Sequence, residues 1–143
     1  IQEGRLKLAQ NRFEEARALF SAAAGNSALS PDVRMLCHFE AGVALWLRDR
    51  KITSALLRHW HQTETTFNSL ANRELSSYLI GIIQVLEGRK KELVTPHPVK
   101  YYPSAFQALA FWALAQKETD PTRRRELLET ARILGKDTFF WIK

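Results

Sequence analysis

The chain has 143 residues, of which 45% are hydrophobic and 25% charged, a balance typical of one globular domain with its own core. The single cysteine excludes an intramolecular disulfide framework and a cysteine-based zinc site. The net charge is +6, and the basic residues are scattered along the chain. This distribution is more typical of a solvated basic surface than of nucleic-acid binding.

The cellular setting follows from what the sequence lacks. There is no run of about 18 apolar residues, so no membrane span is predicted. The lone Cys37 favours a reducing compartment, and we expect a cytoplasmic protein, with the periplasm as the alternative. The chain begins at Ile1 without an initiator methionine, which indicates a piece of a longer protein or a processed chain.

The first predicted helix pair lies at the start of the chain and ends at Ala24. Aromatic and alanine residues recur on one helical stripe between Phe13 and Ala24, and Gly25 ends that helix. The residues from Gln2 to Gln10 are predicted to be the end of its partner helix.

The second predicted pair begins at a proline. Ser30 suits the capping position and Pro31 the first helical position, so a helix is predicted from there to about Leu47. The residues from Arg48 to Lys51 are predicted to form the turn. The return helix is predicted from about Ile52 to His61 or slightly beyond.

The third predicted pair has a long first helix and a short second one. The first begins near Asn72 and is ended by Gly88, and the second covers Arg89 to Val94. Prolines stop it, and the residues from Val99 to Tyr102 are predicted to be a connector.

The fourth predicted pair has clear start and stop signals. Its first helix opens at Ser104 and reaches Lys117, and Asp120 caps a second that reaches Leu134 and is ended by Gly135. The segment at 137–141 is predicted to start one more helix.

The spacing of the turns predicts the fold. They lie near Arg12, Asp49, Gly88 and Thr119, and intervals of roughly 30 to 40 residues are typical of helical-pair repeats. We therefore predict an all-α fold, a single domain over residues 1–143, built as an α-solenoid of about four antiparallel helix pairs.

The opening of the chain carries a recognisable spacing. Gly4 and Ala16 occupy corresponding places on the two helices of the first pair, and residues 16–20 have the form Ala-x3-Phe and end at Phe20. This spacing resembles the tetratricopeptide repeat, in which small residues let two helices approach and an aromatic ring fills the gap. In the second pair the stretch from Ala41 to Leu45 matches the small-residue step, and His59 stands where the aromatic is expected.

The resemblance implies a superhelix whose first helices line an inner, partner-binding surface. Those helices carry more apolar residues than one core stripe needs. One interpretation is a wall that packs on itself or on the C-terminal aromatic segment, and the other is a groove for a partner helix or peptide. The predicted groove residues are Phe39, Val43, Trp46, Tyr78, Ile82 and Phe111, and the predicted basic rim is Arg50 and Arg58, together with Arg5 and Arg48.

Three hypotheses for function follow. The first is a protein-interaction module, scaffold or regulatory, that binds a peptide, a partner subunit or a second copy of the chain. The second is the ligand-sensing effector domain of a transcription regulator. The third, less favoured, is nucleic-acid binding through the arginines at 123–125.

No chemistry-bearing motif is found. The four histidines lack metal-ligand spacing, the glycines are isolated, and Cys37 is expected to be a small buried thiol. The sequence therefore predicts no catalytic residue, no metal and no cofactor, and we expect that the protein is not an enzyme.

Overall fold

The computed structural model describes residues 1–67, 73–89 and 104–143, and the side chains of residues 1–66, 77–89 and 104–143. These residues form helices and no β-strand, which confirms the predicted all-α class. The helices described are α1 (Gln2–Ala9), α2 (Phe13–Ala24), α3 (Pro31–Asp49), α4 (Ser54–Phe67), α5 (Arg73–Leu86), α6 (Ser104–Lys117) and α7 (Pro121–Gly135). Apart from Arg89, the predicted short return helix and the connector after it lie outside the described residues.

The predicted capping residues are found at the N-termini of the two helices that start at a proline. The Ser30 hydroxyl accepts a hydrogen bond from the Val33 N–H at 3.4 Å, and the Asp120 carboxylate accepts one from the Thr122 N–H at 3.2 Å. These side chains supply partners that the first-turn N–H groups of a helix lack. Both predicted starts are therefore confirmed.

The first of two compact units comprises Ile1–Ser76. Within it α1 packs on α2, α2 on α3, and α3 on α4. Every residue of α3 from Phe39 to Trp46 is buried, so this helix is the centre of the unit. An interior helix needs apolar residues on all sides, which is the pattern that this segment has.

Two glycines let the helices of the first unit approach closely. A Cβ atom on Gly4 would lie 2.8 Å from Phe20 Cζ, and one on Gly42 would lie 2.2 Å from Trp60 Nε1. The two contacts have the same form, and Gly42 lies on the first helix of the pair that follows the pair of Gly4. The aromatic side chain over Gly42 belongs to Trp60, which corrects the assignment of that position to His59.

The second compact unit comprises Ser77–Lys143. Here α6 packs on α7, and the Tyr78 hydroxyl on α5 donates to the Phe106 carbonyl on α6 at 2.7 Å. The Phe139 ring meets that of Phe106 edge-on with 5.8 Å between centroids, and Trp141 meets Trp112 in the same way at 5.1 Å. The C-terminal segment thus covers one side of α6.

The helix predicted at 137–141 is wrong. These residues form turns, in which the Ile142 N–H donates to the Phe139 carbonyl at 3.1 Å. A helix would direct Phe139 and Trp141 to different faces. The turns instead bury both rings.

Among the described helices, none is both long and apolar enough to cross a bilayer.

Candidate interaction surface

The structure buries most of the side chains predicted to line a groove. Five of the six have exposed fractions of at most 6%: Phe39, Val43, Trp46, Tyr78 and Ile82. The sixth, Phe111, is half-buried. A buried side chain offers a partner nothing to contact unless the helices separate. The expectation of an open apolar groove at those five positions is therefore corrected, and they belong to the cores.

Three of the four predicted rim arginines are exposed. Arg50 closes α3 in a left-handed conformation with φ of 54°, and its N–H donates to the Trp46 carbonyl at 2.8 Å. Arg58 lies on α4. Arg48 is paired, with its guanidinium 2.7 Å from the Glu14 carboxylate and 3.0 Å from that of Asp49.

The fourth, Arg5, is buried instead of lying at a rim. Its Nε and Nη2 donate to the two carboxylate oxygens of Glu40 at 2.7 and 3.1 Å, which joins α1 to α3. Burial raises the pKa of Glu40, and the hydrogen bonds and charge of Arg5 oppose that rise. The sequence holds a signal for this pair that we missed, because Glu40 is the only Asp, Glu, Lys or Arg between Arg34 and Arg48.

The outer side of α4 combines exposed apolar and cationic groups. Ser54, Leu57, Arg58 and His61 are all exposed, and their spacing puts them on one side of the helix. Leu57 is 45% exposed, and Ile52, two residues before the helix, is 38% exposed. We call Ile52, Leu57, Arg58 and His61 the α4 face.

The charge along the first part of α4 is positive, and the first carboxylate after Asp49 is Glu64, about one turn beyond His61. From position 50 to position 63 the sequence contains Arg50, Lys51 and Arg58 and no Asp or Glu. The preceding carboxylate, Asp49, lies beside the Arg48 guanidinium, which lowers its pKa. The surface therefore offers apolar contact within a positive field, which favours negatively charged partners.

A second polar group of side chains joins three helices of the first unit. Ser21 on α2 lies with its Oγ 3.5 Å from His59 Nε2 on α4, and the His59 ring centroid is 6.3 Å from that of His38 on α3. All three side chains are half-buried. We call Ser21, His38 and His59 the histidine cluster. The three residues are far apart in sequence and lie on different helices, so only the fold could reveal the cluster.

Burial and nearby cations lower the pKa of both histidines and so favour their neutral forms. Burial lowers the pKa of His38, and Arg34 lowers it further. Burial also lowers the pKa of His59, with smaller contributions from His38, Arg17 and Arg58. Each cationic neighbour disfavours protonation of the nearby imidazole, because protonation would place two positive charges close together.

The histidine cluster does not form a nucleophilic triad. A contact of 3.5 Å is at the outer limit for a hydrogen bond, and the group beside His59 is a second imidazole. A triad needs an orienting group, normally a carboxylate, behind the base. No carboxylate is found among the described partners of the His59 ring. What the cluster offers is hydrogen-bond donors whose number rises with protonation.

Other charged features are neutralised locally. A shallow depression of about 290 Å³ at the α1–α2 turn has its charged groups in ion pairs, with Arg12 2.7 Å from Glu15 and Arg48 2.7 Å from Glu14. In the second unit Arg123 lies 3.1 Å from the Glu118 carboxylate, and Arg124 donates to the Glu118 carbonyl. Two of the three arginines considered for nucleic-acid binding are thus engaged at the end of α6.

Two further expectations concern the burial of Cys37 and the lack of a metal site. Cys37 is buried, as predicted, and burial, with a smaller contribution from Glu40, raises the pKa of its thiol. Within the part of the chain that the structure describes, no group of three or more metal-ligating side chains converges.

Comparisons with protein-family models, with curated proteins and with solved structures give no match for this chain. Its function is therefore inferred from the side chains and their arrangement.

Proposed function

We propose that this chain is a helical-repeat domain of the tetratricopeptide type, acting as a scaffold or regulatory module that binds an acidic protein segment on the α4 face. The repeat interpretation is supported by the two glycine–aromatic contacts, Gly4 with Phe20 and Gly42 with Trp60, which recur on consecutive helix pairs. Repeats of this kind commonly present extended surfaces to partners.

The α4 face is the observation that carries the proposal. Leu57 and Ile52 leave apolar area exposed, and Arg58 and Lys51 lie beside them in a stretch without a carboxylate. A partner with apolar side chains would bury the exposed part of Leu57, which is 45% exposed, and so gain part of the about 1.5–3 kcal/mol that full burial of such a side chain gives. Acidic residues on that partner would be steered by the arginine and lysine charges.

Labelled peptides test the proposal directly. The probe is an amphipathic helical peptide with Leu on one side and Glu on the other, and binding is followed by fluorescence anisotropy. Leu57→Glu is expected to weaken binding by about tenfold or more, since about 1.4 kcal/mol corresponds to tenfold. Arg58→Glu is expected to weaken it too, with the larger effect at low salt.

The chain offers a matched control. Ile133 on α7 is 62% exposed, more than Leu57, and belongs to the second unit. Ile133→Glu should leave binding unchanged. A second control peptide carries Lys in place of Glu and should not bind. If Ile133→Glu weakens binding as much as Leu57→Glu, or if the Lys peptide binds equally well, the α4 face is not the docking surface.

A further inference from the structure

The histidine cluster has an unusual balance of charge for a half-buried site. Arg34 acts on His38, while Arg17 and Arg58 act on His59, so cations approach from α2, α3 and α4 alike. The nearby carboxylate of Glu14 lies 2.6 Å from Arg17 and 2.7 Å from Arg48, so it is already shared between two guanidinium groups.

Protonation of both rings gives this cluster more hydrogen-bond donors than acceptors. Arg17 Nη1 lies 3.4 Å from Ser21 Oγ, which in turn lies 3.5 Å from His59 Nε2. His38 Nδ1 is buried, and no partner for it is found among the described residues. A hydroxyl, two imidazoles and a guanidinium are the groups that proteins use to hold phosphate and sulfate.

We propose that Ser21, His38 and His59 bind a tetrahedral oxyanion, phosphate or sulfate, with the charge of Arg17 and Arg34 in support. The anion adds negative charge beside a cluster whose neighbouring carboxylate, Glu14, is already paired with Arg17 and Arg48, and it accepts hydrogen bonds from the hydroxyl and the rings. The three ligands of this site are different side chains from those of the α4 face, and only the charge of Arg58 acts at both, so sulfate binding and peptide binding are tested separately.

Anion binding is coupled to protonation. Without an anion, the lowered pKa values mean that His38 and His59 bind fewer protons in the folded protein than in the unfolded chain. The stability of the folded protein therefore falls as the pH drops through about 6.5. A bound dianion favours the imidazolium form and raises the histidine pKa values. By linkage the oxyanion therefore binds more tightly at low pH.

The test measures sulfate binding by NMR titration of the histidine ring resonances at about pH 6 and about pH 8. Sulfate keeps its charge over this range, so any pH dependence arises from the protein. The dissociation constant is expected to be lower at the acidic pH, by up to about tenfold per pH unit for one coupled proton. Ionic strength is matched with chloride.

Two histidine variants on one helix separate specific from general effects. His59→Gln should weaken binding and reduce the pH dependence, since His38 still titrates, whereas His61→Gln, at an exposed position outside the histidine cluster, should change neither. Thermal unfolding of both variants in sulfate checks folding and reveals the general stabilisation that sulfate gives any protein. Affinity that is equal at the two pH values, or unchanged in His59→Gln, overturns the proposal.

Two further probes identify the source of the oxyanion. Equal affinity for inorganic phosphate and O-phosphoserine supports a free ion as the ligand. Tighter binding of O-phosphoserine supports a phosphorylated segment. Failure of both to bind, with sulfate also inactive, overturns the proposal while leaving the peptide assay on the α4 face unaffected.

Discussion

The contact between Gly42 and Trp60 is closer than that between Gly4 and Phe20. Trp60 is fully buried, so its indole has no solvent to move into when a methyl group is added at position 42. Gly42→Ala is therefore expected to destabilise the protein by roughly 1–3 kcal/mol, the usual cost of overpacking a core. The loss of stability is measured by urea unfolding, with circular dichroism as the signal.

Gly25 supplies the control for that substitution. A Cβ there would meet its nearest atoms, two backbone oxygens, at 3.7 Å, and the residue has a φ of −83°, which alanine adopts freely. Gly25→Ala should be neutral or stabilising by up to about 1 kcal/mol, through the unfolded state. An equal loss of stability in both variants would show that close approach is not the reason for glycine at position 42.

Spacing alone predicted one of these two contacts. The separation of Gly4 and Phe20 matches the family pattern, and the structure confirms that the ring covers the glycine. Gly42 and Trp60 are slightly further apart in sequence, because α3 extends further beyond its glycine than α1 does. Counting the Ala-x3 step from Ala55 therefore stopped one residue before Trp60 and pointed to His59, which lies in the histidine cluster instead.

At the scale of helices, the buried pair of Arg5 and Glu40 fixes α1 against α3. Arg5→Met leaves a buried carboxylate without its cation, and Glu40→Leu leaves a buried guanidinium without its anion. Each is expected to cost about 3–5 kcal/mol, because an uncompensated buried charge is strongly unfavourable. Chemical denaturation of both variants measures the loss.

The double variant distinguishes an ion pair from simple packing. Arg5→Met with Glu40→Leu removes both charges and keeps the volume roughly constant. It should therefore be more stable than either single variant, as replacement of a buried pair by apolar residues often is. Additive losses in the double variant would mean that the two side chains contribute by independent packing.

The sequence predicted most of the described helices, and it predicted their ends where a capping residue or a glycine marks them. The bounds of α2 were predicted as observed, since Gly25 follows directly. By contrast α4 continues to Phe67, beyond the predicted end near His61. Its last turns contain threonines that donate to carbonyls four residues back, as Thr63 does to His59 at 3.1 Å. Polar, β-branched residues weaken the periodic signal without ending the helix.

The candidate surfaces were less predictable, because burial depends on packing between helices distant in sequence. Because α3 has a long apolar run, the groove was predicted to include Phe39, Val43 and Trp46, and these side chains are buried in the core. The α4 face has only Leu57 and Ile52 as large apolar groups and stands out once their exposure is known. Arg58 was assigned to the rim from sequence, and it does lie on an exposed face.

At the scale of the whole molecule, the division into two compact units bears on the predicted single domain. The boundary falls between Ser76 and Ser77, inside α5, so one continuous helix contributes residues to both units. Separate unfolding of one unit would break this helix in its middle and leave backbone groups at the break without their hydrogen-bond partners. We therefore expect one cooperative unfolding transition.

The tryptophans report on the two units separately, with Trp46 and Trp60 in the first and Trp112 and Trp141 in the second. In a variant with both first-unit tryptophans changed to Phe, fluorescence follows the second unit and circular dichroism follows the whole chain. Coincident midpoints are the mark of two-state unfolding. Adding Arg5→Met, which removes the Arg5–Glu40 pair of the first unit, should then lower the fluorescence midpoint of the second unit as much as the circular dichroism midpoint. A fluorescence midpoint that stays in place while part of the dichroism signal moves would show two independently folding domains, because the loss of the ion pair would then be confined to the first unit.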